Sequence, residues 1–298
     1  MRALVVGWSS VEHGEATAGD VLAMRAVTDT LTAAGIAHDV AWSAVMRPAG
    51  GLALVDADPH AYSHLVFCCG PATGAPIADL HEAYAHATRI AVGVSVLDHD
   101  DPVTAGFHTV IARDEPGATP HRDLSARIQA AGAGPERTPV LGVYLTGEQG
   151  EYGASRRHDA VTGALTDWLN RLDAAVLPLD TRLDPRDWRM PSTAAQVDAV
   201  MARVDVVVTM RMHGLALALR QGVPVLAVDP VAGGGKVTAQ ARAWDWAALI
   251  DADDVSPGTL QSRLTWCLSS AGRDAAAERR DWPPSGQDQL DRLLAALR

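Results

Sequence analysis

Residues 204 to 225 read Val-Asp-Val-Val-Val-Thr-Met-Arg-Met-His-Gly-Leu-Ala-Leu-Ala-Leu-Arg-Gln-Gly-Val-Pro-Val. The valines of 205–208 suit a strand covered on both faces. Residues 215–219 alternate leucine and alanine, good helix formers, and Gly222 and Pro224 stop the helix before a second apolar run at 225–228. Strand, short helix and buried strand make a βαβ unit, so the strands run parallel and helices flank the sheet. Arg211, His213 and Gly214 fall between strand and helix, at the carboxyl end of a buried strand, where open α/β sheets bind ligands.

The same rhythm extends outward. Strand 140–145, helix 157–172, strand 174–179 and helix 194–202 precede the block. In the first part of the chain, strands are expected at 3–6, 65–68, 90–94 and 109–111. A helix over 20–34 carries Val21, Met24, Val27 and Leu31 at helical spacing and ends at Gly35. Residues 130–139 are rich in Gly, Ala and Pro without periodicity and read as a linker. The expected organisation is two similar α/β domains with parallel sheets, 1–132 and 139–284, with a cleft between them. An amphipathic helix within 285–298 is expected to pack on one of them.

Composition narrows the function. The chain has 298 residues, long enough for two domains, with 25 Lys+Arg against 36 Asp+Glu and a net charge of -11. That balance argues against nucleic acid and anionic membranes as broad partners. No apolar run approaches the roughly 20 residues a membrane span needs. The start, Arg2 into Ala3-Leu4-Val5-Val6-Gly7, is too short for a secretory signal. Three cysteines, two of them adjacent (Cys68, Cys69), give neither a disulfide framework nor a CxxC metal site, so a reducing, cytoplasmic setting is expected. Several motifs fail on spacing. The loop after Val6 is not GxGxxG, and Gly233-Gly234-Gly235-Lys236 has Pro230 and Val237 where a Walker motif needs glycine and a hydroxyl residue. His81 and His86 lie five apart, not the four that zinc ligation from one helix face uses. No metal or cofactor is expected.

Three loops can carry chemistry. The first holds Arg211, His213 and Gly214: a helix start favours an anion, and the arginine fork adds bidentate recognition of carboxylate or phosphate. The second, Pro230-Val-Ala-Gly-Gly-Gly-Lys236, follows the next strand and emerges at the same sheet edge. Its glycines, Gly235 included, allow close backbone approach to a ligand. Lys236 is the one lysine beside 24 arginines, which suggests a site that wants a compact point charge. The third runs from Gly7 to Asp20; Asp20 reads as an N-cap, with His13, Glu15 and Thr17 facing a ligand. Arg113, after the strand at 109–111, is read either as a second cleft arginine or as half of a surface ion pair.

These residues resemble the polysaccharide pyruvyl transferase family. The resemblance rests on Thr209-Met-Arg211-Met-His213-Gly214-Leu-Ala-Leu-Ala-Leu with Gly222-Val-Pro224, then Lys236 before a helix. Ala18-Gly19-Asp20, Cys69-Gly70-Pro71 and Val110-Ile-Ala-Arg113-Asp114 support it, and the anchors span residues 1 to about 265. The resemblance implies two Rossmann-like domains in a glycosyltransferase-B-like arrangement. It also implies transfer of a pyruvyl group from phosphoenolpyruvate to hydroxyls of a sugar, often as a cyclic ketal. Arg211 and His213 would be the donor-site pair, with Arg113 at the family's first-domain Arg-Asp position. The donor's methylene carbon has to be protonated, which suits His213; Arg211 and Lys236 suit its carboxylate and phosphate; Glu15 or a neighbour would take the acceptor's proton. The loop after strand 140–145 is acidic where relatives carry a basic residue. That leaves the acceptor open between a sugar unit and a specialised metabolite. The competing readings are a nucleotide-sugar enzyme of the same architecture, a glycosyltransferase or epimerase, and a non-catalytic binding protein.

Overall fold

The computed structural model describes residues 1–12, 16–130, 137–147, 149–282 and 289–298. The chain divides into two compact units, Met1–Gly132 and Ala133–Arg298.

The first unit is built on six parallel strands: β1 (Ala3–Gly7), β2 (His38–Trp42), β3 (Leu52–Ala53), β4 (His64–Cys68), β5 (Thr88–Ser95) and β6 (Thr109–Asp114). Their spatial order, β3-β2-β1-β4-β5-β6, is the doubly wound order of dinucleotide-binding folds. Every residue of β1 is buried. Helix α1 (Ala18–Ala33) starts on a capping box. The Thr17 amide and hydroxyl both donate to the Asp20 carboxylate at 2.8 Å, and the Asp20 amide donates back to the Thr17 hydroxyl. Thr17 is therefore the N-cap, and Asp20 sits three residues inside. α2 (Ala75–Ala83) and the single turn α3 (Pro102–Ala105) complete the unit. The sequence reading did not foresee β2 or β3. His-Asp-Val-Ala-Trp of β2 is only partly covered, with a single fully buried residue, and its outer side is tied down by the Arg2–Asp39 ion pair at 2.7 Å.

The second unit carries β7 (Val140–Tyr144), β8 (Ala175–Pro178), β9 (Val206–Thr209), β10 (Val225–Asp229) and β11 (Leu249–Asp251). All pairs are parallel and the order is β11-β10-β9-β7-β8. This is the other common doubly wound order, in which the connections reverse direction between the first and third strands, here β7 and β9. Its helices are α4 (His158–Leu169), α5 (Ala194–Met201), α6 (Met212–Arg220), α7 (Lys236–Ala243), α8 (Pro257–Leu268), α9 (Ser270–Arg280) and α10 (Gln289–Ala296). All of β9 and β10 is buried in one apolar core with Leu215, Leu219, Val237, Leu260 and Trp246. Both units are thus Rossmann-like α/β folds. α10 buries no residue, and Leu290, Leu293, Leu294 and Leu297 are exposed. Among the described residues no helix is long and apolar enough to cross a membrane.

Candidate functional site

Strand register levels four strand ends in the second unit. Pro178 of β8 lies opposite Val143, Thr209 of β9 opposite Tyr144, and Ala227 of β10 opposite Thr209. The residues that leave this edge are therefore Asp180, Leu145, Arg211 and Asp229, on β8, β7, β9 and β10 in turn.

The turn from β9 into α6 is fixed by Thr209. Its buried hydroxyl accepts the Arg211 amide at 2.9 Å and faces the Arg211 carbonyl at 3.1 Å. Gly214 packs directly on that threonine. A Cβ at position 214 would stand 2.3 Å from the Thr209 hydroxyl oxygen and 2.9 Å from its Cβ. This close approach, not a positive φ, is why glycine stands there.

Arg211 is partly buried at the switch point. Its Nε donates to the Leu145 carbonyl at 2.9 Å, and Nη2 lies 3.6 Å from Asp180 Oδ1. Nη1 has no hydrogen bond among the described residues. The guanidinium borders a groove of about 960 Å³ shared with Thr146, Gln149, Asp159, Asp180 and Arg182. Burial opposes the charge of Asp180, but the side-chain and backbone donors of Arg182, with Arg211 nearby, outweigh it and hold the carboxyl below its ordinary pKa. Asp180 is the functional candidate that sequence reading missed, although the strand-end rule that selects Arg211 also selects it.

The two neighbouring helix starts differ. The side chain of Arg211, the N-cap of α6, makes no cap hydrogen bond, and the first turn of α6 carries His213. That ring is exposed and makes no hydrogen bond, ion pair or ring contact among the described residues. The start of α7 is already occupied. The fully buried Asp229 carboxylate accepts the amides of Val231 at 3.1 Å, Gly235 at 2.7 Å and Thr238 at 2.8 Å. The Gly235 amide, expected to face a ligand, therefore faces an internal anion. Lys236, the first residue of α7, is exposed, with its ammonium 5.8 Å from the centre of the Tyr152 ring.

In the first unit, Arg113 is committed to protein partners. Nε meets Asp114 at 2.6 Å, Nη1 meets Asp123 at 2.7 Å and Nη2 donates to Ser95 at 2.7 Å. Bonds to Asp114 and Asp123 raise its pKa, as they do for any well-paired guanidinium. The ion-pair reading of Arg113 is the one the geometry gives. Thr17 and Asp20 are likewise engaged with each other in the capping box. His13 and Glu15 lie outside the described residues. Among the described residues no group of three or more His, Cys, Asp or Glu is placed to hold a metal ion.

Residues 170–230 match the family model described as polysaccharide pyruvyl transferase. The matched segment carries Asp180, Arg211, His213 and Gly214 and marks this part of the chain as similar to a transferase; Lys236 falls beyond it. No curated protein matches the chain. Among solved structures, the spinosyn rhamnosyltransferase SpnG is similar at 11% identity and TM-score 0.37, with all of both chains covered. The glycosyltransferase SnogD from Streptomyces nogalater is similar at 15% identity and TM-score 0.32, covering 100% of this chain and 99% of that one. A putative UDP-N-acetylglucosamine 2-epimerase from Listeria monocytogenes is similar at 12% identity and TM-score 0.33, covering 99% and 95%. At such values nothing about this chain's reaction follows from them.

The Thr209–Gly214 contact makes a direct prediction. Gly214→Ala forces a methyl group into a buried hydroxyl, and overpacking of this kind costs about 1–3 kcal/mol. A thermal melt should show the variant's Tm lowered by roughly 2–12 °C. An unchanged melt would mean the turn relaxes freely and does not fix Arg211.

Proposed function

We propose that the carboxyl edge of the second unit binds phosphoenolpyruvate and that the protein transfers its pyruvyl group to hydroxyls of an acceptor. The observation that carries this reading is the junction of β9 and α6. There a helix start whose N-cap side chain makes no cap hydrogen bond stands beside a guanidinium whose Nη1 has no hydrogen bond among the described residues, and such a start favours negative charge. The family match over 170–230 supports the same reading.

Arg211 takes one anionic end of the donor, carboxylate or phosphate, and the first-turn amides of α6 add to its hold. Lys236 supplies a second positive charge from the adjacent strand end. His213, unpartnered on the same helix turn, delivers a proton to the donor's methylene carbon. As C2 becomes electron-deficient, an acceptor oxygen bonds to it and the acceptor's proton passes to a carboxylate. Among the described carboxylates Asp180 is the one beside Arg211. Phosphate then leaves C2, and a second acceptor hydroxyl can close a ketal there. Asp180 also restrains binding, because its negative charge lies 3.6 Å from the Arg211 guanidinium that must receive an anion. No metal or cofactor takes part in this scheme.

A thermal-shift titration tests the donor. Phosphoenolpyruvate should stabilise the protein, by about 2.7 kcal/mol at one hundred times its Kd. Arg211→Ala should weaken binding about 10–100-fold, as loss of a charge-assisted hydrogen bond implies. His213→Ala should keep binding and lower turnover about 10²–10⁴-fold. Stabilisation by UDP, GDP or CMP but not by phosphoenolpyruvate would overturn the reading in favour of a nucleotide-sugar enzyme.

Asp180→Asn separates the two roles given to that residue. Phosphoenolpyruvate should bind several-fold more tightly once the competing charge is gone, while kcat falls by about 10²–10⁴. Weaker donor binding in this variant would instead make Asp180 a strut that orients Arg211.

A further inference from the structure

The 179–193 segment, between β8 and α5, carries an exposed indole. Trp188 is 93% exposed, whereas Trp168 and Trp246 lie in the core. The segment is not slack. The Asp184 amide donates to the Pro191 carbonyl at 3.0 Å and closes a loop with Trp188 near its tip. Asp180, Asp184 and Asp187 each accept the backbone amide two residues on, at 2.9–3.0 Å, and each ion-pairs the arginine there, Arg182, Arg186 and Arg189, at 2.7–2.9 Å. Three successive turns of one kind stiffen the loop and present the ring at a fixed place.

Trp188 borders a groove of about 680 Å³ that also takes in Tyr144, Asp184, Asp187 and Arg189. This is within the range of small-molecule sites. Asp180 lines both this groove and the groove at Arg211. A large exposed aromatic face beside a concavity marks a binding surface.

We infer that Trp188 is the stacking platform for a pyranose ring of the acceptor, whose hydroxyls point along the groove toward Asp180. Three observations choose this ligand. The exposed indole offers an apolar face that matches the C–H face of a sugar ring. The paired Asp and Arg side chains around it offer alternating acceptors and donors for a rim of hydroxyls. The three carboxylates and three guanidiniums of residues 180–189 cancel, so the lip is neutral and suits an uncharged ring, not a nucleoside diphosphate. The inference rests on the pyruvyl-transfer reading only for the direction in which the hydroxyls point. It places acceptor binding within the second unit, the unit that also carries Arg211 and His213.

Saturation-transfer NMR and calorimetric titration of the full chain with methyl β-D-galactopyranoside, methyl β-D-glucopyranoside and methyl α-D-mannopyranoside test it. At least one pyranoside should bind saturably. Trp188→Ala should weaken that binding at least tenfold, and Trp188→Phe should stay within about threefold of wild type. Because Trp188 is a surface residue, both variants should keep the wild-type melt and the wild-type phosphoenolpyruvate shift. Equal binding by wild type and Trp188→Ala, or no binding of any pyranoside, overturns the inference. So does binding of uridine monophosphate that depends on Trp188. Pyranoside binding that depends on Trp188 in a protein that phosphoenolpyruvate fails to stabilise would leave the platform standing and remove pyruvyl transfer.

Discussion

The 2.9 Å hydrogen bond from the Arg211 amide to the buried Thr209 hydroxyl sets the geometry of the whole carboxyl edge of the second unit. It closes the turn as β9 ends, and Gly214 lets α6 start against the same threonine with no side chain between. The register of β7 and β8 then determines what Arg211 can meet. Because Tyr144 lies opposite Thr209 and Val143 opposite Pro178, the next positions out are the Leu145 carbonyl and the Asp180 carboxylate. One holds Nε and the other lies near Nη2, and among the described residues Nη1 has no hydrogen bond. A residue wider than glycine at 214, or a one-residue slip of β9, would aim the guanidinium elsewhere.

Charge at this edge is local. The chain carries a net -11, and many of its arginines are ion-paired with carboxylates, as Arg156 is with Asp159 and Arg113 with Asp114 and Asp123. Of the two adjacent helix starts, α7 has its amides turned inward to Asp229, and at α6 the N-cap side chain makes no cap hydrogen bond. Among the described residues, the start not taken up by a buried carboxylate is the one beside Arg211.

Much of this was legible in the sequence. The valine-rich runs of β1, β9 and β10 announce strands covered on both faces, and Arg211, His213 and Gly214 stand out because they interrupt apolar sequence between strand and helix. What was not legible has physical causes. β2 has a single buried residue, so its hydropathy resembles a loop. Gly233-Gly234-Gly235 has the composition of a ligand cradle, but its conformation follows from a carboxylate buried four residues upstream of Gly233, and no local pattern says that Asp229 points back at the loop. Arg113 looks equally poised whether it meets substrate or Asp123, because its partner lies ten residues away in an irregular segment. Asp180 was hidden by its company. Embedded in a run of alternating Asp and Arg, it reads as solvated surface, and only the strand register separates it from Asp184 and Asp187.

Lys236 looks misplaced at first, because a cation at a helix start opposes the macrodipole. Asp229 resolves the conflict. Its carboxylate lies beneath the first turn of α7, where it neutralises the free amides and lowers the cost of a positive side chain directly above. The ammonium lies 5.8 Å from the centre of the Tyr152 ring. An arginine there could fold its fork onto nearby loop carbonyls, as Arg157 does on Ala154 and Arg156, and would be tied down. A lysine, with a compact head on a flexible stem, has no fork to fold in that way, which suits the role proposed for it as a second donor-binding cation.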